Sequence, residues 1–146
     1  MTKNTLHLFA ARFFTALCLS LAMSQANAEV VAVVASASNV KQLSAAQIAD
    51  IFLGKTSRFP DGSTAIPIDH AESSAERSEF YTRYTGKTAV EMKMHWSKLI
   101  FTGRGQPPRQ LPDASAVKAL LAQNPAIISY LDRSQVDATL TVLESR

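Results

Sequence analysis

Cysteine is nearly absent. The 146-residue chain has one, Cys18, and it lies inside an apolar amino-terminal run far from any other candidate ligand. Beyond that run there is no thiol, which excludes a disulfide and a thiolate metal site. Histidine is scarce too. Beyond the run only His70 and His95 occur, 25 positions apart with no motif spacing, and a metal ion needs three or four ligands. Glycine numbers five, and no Gly-x-Ser-x-Gly nucleophile elbow is present. Asp69, His70 and Ser73 can be written down as a triad, but adjacency along the chain is not triad geometry. An enzyme is therefore not expected.

An excess of charge is also missing. Residues 1–28 have the pattern of a cleaved secretory signal: Lys3 and Arg12, an apolar stretch from Phe13 to Met23, and Ala26-Asn27-Ala28 as the cleavage site. The stretch is short of the ~20 residues a membrane span needs. Leu17 stands before Cys18 where a lipid-attachment motif wants a small residue. The signal holds two of the 15 basic residues and none of the 12 acidic ones, which leaves 13 against 12. That near balance excludes the basic patch a nucleic-acid partner would require. Residues 29–146 are enough for one domain with one core.

What is present is a regular alternation of elements. Val30–Ala35 is a continuous apolar run suited to a strand covered on both faces. Ser44 and Gln47 open a helix as a capping box, with Ile48, Ile51 and Phe52 inward and Gly54 as its stop. Thr88 and Glu91 open another helix, which runs to about Phe101 with Met92 and Trp96 on its buried side. Phe101 to Arg109 is a Gly/Pro loop, and Asp113 caps a helix ended by Asn124-Pro125. Strands follow at 126–131 and 136–143. The order is β-α-β-α-α-α-β-β, which predicts an α/β layer fold with a mixed sheet flanked by helices.

The stretch from Ile66 to Gly86 carries the chemistry. It predicts a strand over 65–68, with Pro67 disfavouring a fully hydrogen-bonded central position. A polar turn follows, then a helix capped by Ser73 with Glu76 as the box partner and stopped by Gly86. Glu79 and Arg83 are spaced for an ion pair on its outer face. A helix amino terminus reached through serines is a concave set of N–H donors at a positive dipole end. Arg77 in the first turn opposes that dipole unless an anion is nearby. The candidate anion-binding residues are Ser73, Ser74, His70 and Arg77, with Arg104 as a loop guanidinium that could join them. The plainer alternative is that the serines only cap the helix.

Several stretches together resemble a known family. They are Leu43 to Lys55 (L-S-A-A-Q-I-A-D-I-F-L-G-K), Phe59 to Ser63, Asp69 to Tyr81, Trp96, Phe101-Thr102-Gly103-Arg104-Gly105 with Pro107-Pro108, and Pro125 to Tyr130. The chain is similar to the phosphate ABC-transporter substrate-binding proteins, in the form of a short, single-lobe, periplasmic-binding-protein-like member. In the family's phosphate turn, R-x-D-G-S-G-T-T, Ser74 matches the serine and Glu72 the acidic residue. His70 stands in place of the arginine and Ala75 in place of the second glycine. The resemblance implies a periplasmic solute-binding module that takes phosphate or a similar small anion and needs no cofactor. Its implied partners are ABC-transporter membrane subunits or another periplasmic protein, and a second copy of the chain could cover the open site. The competing expectation is an interaction or sensing module that has lost its ligand.

Overall fold

The computed structural model describes residues 29–144. The expected signal at 1–28 lies outside the described residues. The elements run β1 (Val30–Ala35), α1 (Ala45–Phe52), β2 (Ile66–His70), α2 (Ala75–Thr85), α3 (Ala89–Phe101), β3 (Arg109–Leu111), α4 (Ala114–Gln123), β4 (Ile127–Asp132) and β5 (Leu140–Val142). A short 3-10 turn at Arg133–Gln135 follows β4. The five strands form one mixed sheet in the order β3-β2-β4-β1-β5. β2 is parallel to β3 and β4, and β1 is antiparallel to β4 and β5.

All six residues of β1 are buried, as its unbroken apolar run predicts. Its side chains alternate between two cores. Val30, Ala32 and Val34 pack with α1, α2 and α3 on one face, around Phe52, Phe80, Tyr81, Tyr130 and Trp96. Val31 and Val33 pack with Val117 and Leu121 of α4 on the other. The aromatic side is dense: Phe80 stacks on Tyr130 with centroids 4.0 Å apart, and Phe52 meets Phe80 edge-on at 4.6 Å. Gly54 has a φ of 71°, and a β-carbon there would stand 2.8 Å from the Trp96 ring. The helix-stop glycine therefore also admits the indole.

Five sequence expectations change. The strand predicted at 65–68 extends to His70, so Asp69 and His70 are buried strand residues and not turn residues. The cap of α2 is Ser74, not Ser73. Ser74 folds back through its N–H onto the Ala71 carbonyl at 2.9 Å, and its hydroxyl accepts from the Arg77 N–H at 3.0 Å. Ser73 is left exposed. Glu79 and Arg83 do not pair with each other. Glu79 accepts the Val30 N–H, while Arg83 reaches Glu29 and Glu144. β3 arises where a loop was expected, because Ile68 to His70 leave one flank open and Arg109 to Leu111 pair along it. The last strand shrinks to three residues, since Asp137 holds the Thr139 N–H and hydroxyl in a turn. Pro67 keeps its predicted restriction: it pairs with Ile128 of β4 only, before β3 begins.

Candidate functional site

Ligands of open α/β sheets sit beyond the carboxyl ends of parallel strands, where neighbouring strands send their helices to opposite faces. Here that point lies between β2 and β3. β2 leads into α2 on the aromatic face, and β3 leads into α4 on the other face. His70, the Ala71–Ser74 turn and the start of α2 thus face the Leu111–Asp113 turn and the start of α4. The Ser74 hydroxyl satisfies one helix donor, and the Ser74 N–H is spent on Ala71. The N–H groups of Ala75 and Glu76 have no acceptor in the preceding turn, because an α-helix supplies none to its first residues.

Directly beneath lies a buried polar cluster built on Asp69. Its carboxylate is 1% exposed and accepts four hydrogen bonds. Oδ2 takes the Arg77 Nε–H at 3.0 Å and the Tyr81 hydroxyl at 2.9 Å. Oδ1 takes the His70 backbone N–H at 2.9 Å and a short hydrogen bond from the Tyr130 hydroxyl. Two donors on each oxygen fill the carboxylate's lone-pair sites. Burial alone would lower the Arg77 pKa, but the charge and hydrogen bond of Asp69 outweigh it and leave the pKa raised. Burial first, and Asp69 second, push the Tyr81 and Tyr130 hydroxyls well above the ordinary phenol range.

This cluster accounts for the residue that looked misplaced. Arg77 stands at the positive end of α2, and the anion opposite it is the chain's own Asp69. Arg77 is 5% exposed, so its charge is neutralised inside the protein. His70 is also engaged internally. Its Nε2 lies 2.8 Å from the Tyr130 carbonyl, an acceptor only, so Nε2 carries the proton. The ring stacks on Tyr130 at 4.6 Å.

Ser73, Ser74, His70 and Arg77 are therefore brought together at the carboxyl end of β2, and Arg104 is not. The reason is topological. The loop holding Arg104 precedes β3, and β3 is parallel to β2, so the loop lies at the amino end of both strands. There it borders a groove of about 790 Å³ lined by Ile51, Ile66, Trp96, Gly105, Pro108 and Arg109. This large groove is at the opposite end of the sheet from the α2 amino terminus. The residues that sequence reading missed are Asp69 and Tyr130 as partners. One signal existed for the first: an aspartate ending an apolar strand, with an arginine in the first turn of the next helix.

No family model and no characterised protein matches the chain by sequence. Comparison of structures does find relatives. A Clostridium perfringens protein assigned as a phosphate ABC transporter substrate-binding protein, solved with phosphate bound, superposes with a TM-score of 0.62 at 19% identity over 78% of this chain and 43% of its own. An ABC-type phosphate transport receptor from Vibrio cholerae gives 0.61 at 16% identity, over 78% and 44%. The PstS protein of Borrelia burgdorferi gives 0.56 at 13% identity, over 79% and 46%. The chain spans less than half the length of these proteins. It has the fold of a lobe of the phosphate ABC-transporter substrate-binding proteins.

Proposed function

We propose that the chain is a non-catalytic, extracytoplasmic solute-binding lobe that takes phosphate or a similar oxyanion at the amino terminus of α2. The supporting observation is the position of that terminus, which presents unpaired N–H groups at the switch point of the sheet. In this reading Ser73 and Ser74 supply hydroxyls, and the N–H groups of Ala75 and Glu76 supply fixed donors. Asp69 holds Arg77, and Arg77 orients the first turn. Arg104 has no part. Export through the 1–28 signal would place the lobe, residues 29–146, in the periplasm. The implied partners are ABC-transporter membrane subunits or another periplasmic protein. A half-site open to water binds weakly, so a second surface, from one of these or from another copy, would cover the ion.

A second reading has its own observation. Among the described residues the guanidinium at the α2 terminus, that of Arg77, is already neutralised by Asp69, and Glu72 and Glu76 stand beside the free N–H groups. That arrangement suits a protein-interaction module which keeps the lobe and not the ligand. Isothermal titration of the chain from Glu29 onward with phosphate at pH 7 and low salt separates the two, with sulfate as competitor. Saturable heat that Ser74→Ala removes supports the oxyanion site, and a stoichiometry of one ion to two chains identifies a shared one. No heat up to millimolar phosphate overturns it in favour of the interaction module.

A further inference from the structure

Five large hydrophobic side chains are exposed among the described residues, and four of them lie on α3: Val90, Met94, Ile100 and Phe101. Phe101 is 93% exposed, Val90 69% and Met94 67%. At 3.6 residues per turn, positions 90, 94 and 101 fall within about 40° of arc, with Ser97 between Met94 and Phe101. They make a single row about 16 Å long. The row lies opposite the side on which Met92 and Trp96 enter the core. α3 is thus apolar on two faces, and the fold uses only one.

The flanks of the row are basic. Lys93 and Lys98 stand on either side, with Lys87 before the helix and Arg104 after it. None of these four forms an ion pair among the described residues. The single acidic residue of α3, Glu91, lies to one side. Its carboxylate is held by the Thr88 N–H and hydroxyl in the helix cap, and those bonds keep its pKa below the ordinary range.

We propose that α3 is a membrane-contact helix that lies along an anionic lipid surface, with Val90, Met94 and Phe101 inserted at the headgroup boundary and the lysines on lipid phosphates. An apolar row rimmed by lysines on a surface helix is the pattern of interfacial binding. The four cations call for a negatively charged surface. A fluid surface also receives a protruding phenyl ring without a matched pocket, whereas a rigid protein partner needs one. The long lysine side chains reach outward from the apolar row to the headgroups. This inference concerns a surface distinct from the α2 terminus, and it stands or falls independently of oxyanion binding.

The test is vesicle co-sedimentation of the chain from Glu29 onward. Residues 1–28 are left out because their apolar run would bind lipid unaided. The remainder folds without them, since both faces of its sheet are covered by its own helices. Vesicles of phosphatidylglycerol with phosphatidylcholine are compared with phosphatidylcholine alone. The expected result is at least about tenfold stronger partition onto the anionic vesicles, weakened at ~1 M salt, where charge attraction is screened within about 3 Å. The pair Met94→Glu with Phe101→Glu lowers that partition about tenfold or more, and Lys93→Gln with Lys98→Gln lowers the preference for anionic lipid by about tenfold, with Lys87 and Arg104 left in place. All four sites are exposed, and a circular-dichroism spectrum like that of the parent shows the variants folded. No partition, equal partition onto both vesicles, or variants that partition like the parent would overturn the assignment. So would a stripe covered by a second copy, seen as a dimer in sedimentation that Phe101→Glu dissolves, or by an acidic protein in place of lipid.

Discussion

Replacing Asp69 with asparagine tests the buried cluster most directly. The change keeps the size of the side chain and removes its charge. Arg77, with its side chain 6% exposed, is then a buried cation facing an amide. The asparagine also puts an NH2 donor where one oxygen accepted two hydrogen bonds, so two of the four donors from Arg77, His70, Tyr81 and Tyr130 lose their acceptor. Breaking a buried pair from one side costs about 3–5 kcal/mol, because the remaining charge is uncompensated. For a domain of this size the entropy of unfolding is about 0.24 kcal/mol per degree, so the melting temperature should fall by roughly 12–20 °C. That is a large part of the ~5–15 kcal/mol a domain has in total. Urea unfolding followed through the single tryptophan, Trp96, which is buried in the same core, reads the loss. The companion variant Asp69→Asn with Arg77→Met removes both charges and should recover at least about 1 kcal/mol of it. A loss below about 1 kcal/mol for Asp69→Asn would refute the reasoning. So would a double variant less stable than the single one, because Arg77 would then not be a charge held in place by Asp69.

Two further outcomes follow from the same geometry. Ser74→Ala should cost about 1 kcal/mol in urea unfolding through the lost cap, while Ser73→Ala, at an exposed position without that bond, should stay within ~0.5 kcal/mol. Equal losses would return the cap to Ser73. The chain has three tyrosines, Tyr81, Tyr84 and Tyr130, and all are buried with their pKa values raised, by burial first and then by Asp69 or Glu144. A raised folded-state pKa favours the protonated form. The stability it contributes is therefore complete below the unfolded value of about 10 and declines as pH rises beyond it. A tyrosinate absorbance titration should show no phenolate in the folded chain and a single cooperative rise at alkaline unfolding. A gradual rise near pH 10 in chain still folded by circular dichroism would contradict the buried assignments.

Most of the elements could be read from local chemistry. The boxes at Ser44/Gln47 and Thr88/Glu91, the stop at Gly86 and the apolar run of β1 act through neighbours a few residues away, and each stands where it was expected. Boundaries moved where a long-range contact took over. β2 lengthens because β3 pairs with Asp69 and His70. The α2 cap moved for a local reason: the Ser74 N–H closes a turn onto the Ala71 carbonyl, and the Ser74 hydroxyl takes the Arg77 N–H.

The site divided along the same line. Arg77 opposing its helix dipole was visible as a conflict that called for an anion, because dipole and charge are both local to α2. That the anion is Asp69 could not be read, because the cluster joins residues as far apart as Asp69 and Tyr130, 61 positions, and distance along the chain says nothing of proximity in a sheet. Arg104 shows the converse. A loop arginine looks available to any nearby anion, but the parallel direction of β3 sends its loop to the far end of β2. Residue type and local spacing settled which helices and strands form. Strand order and direction settled which charged groups meet, because a sheet brings together residues that the chain keeps apart.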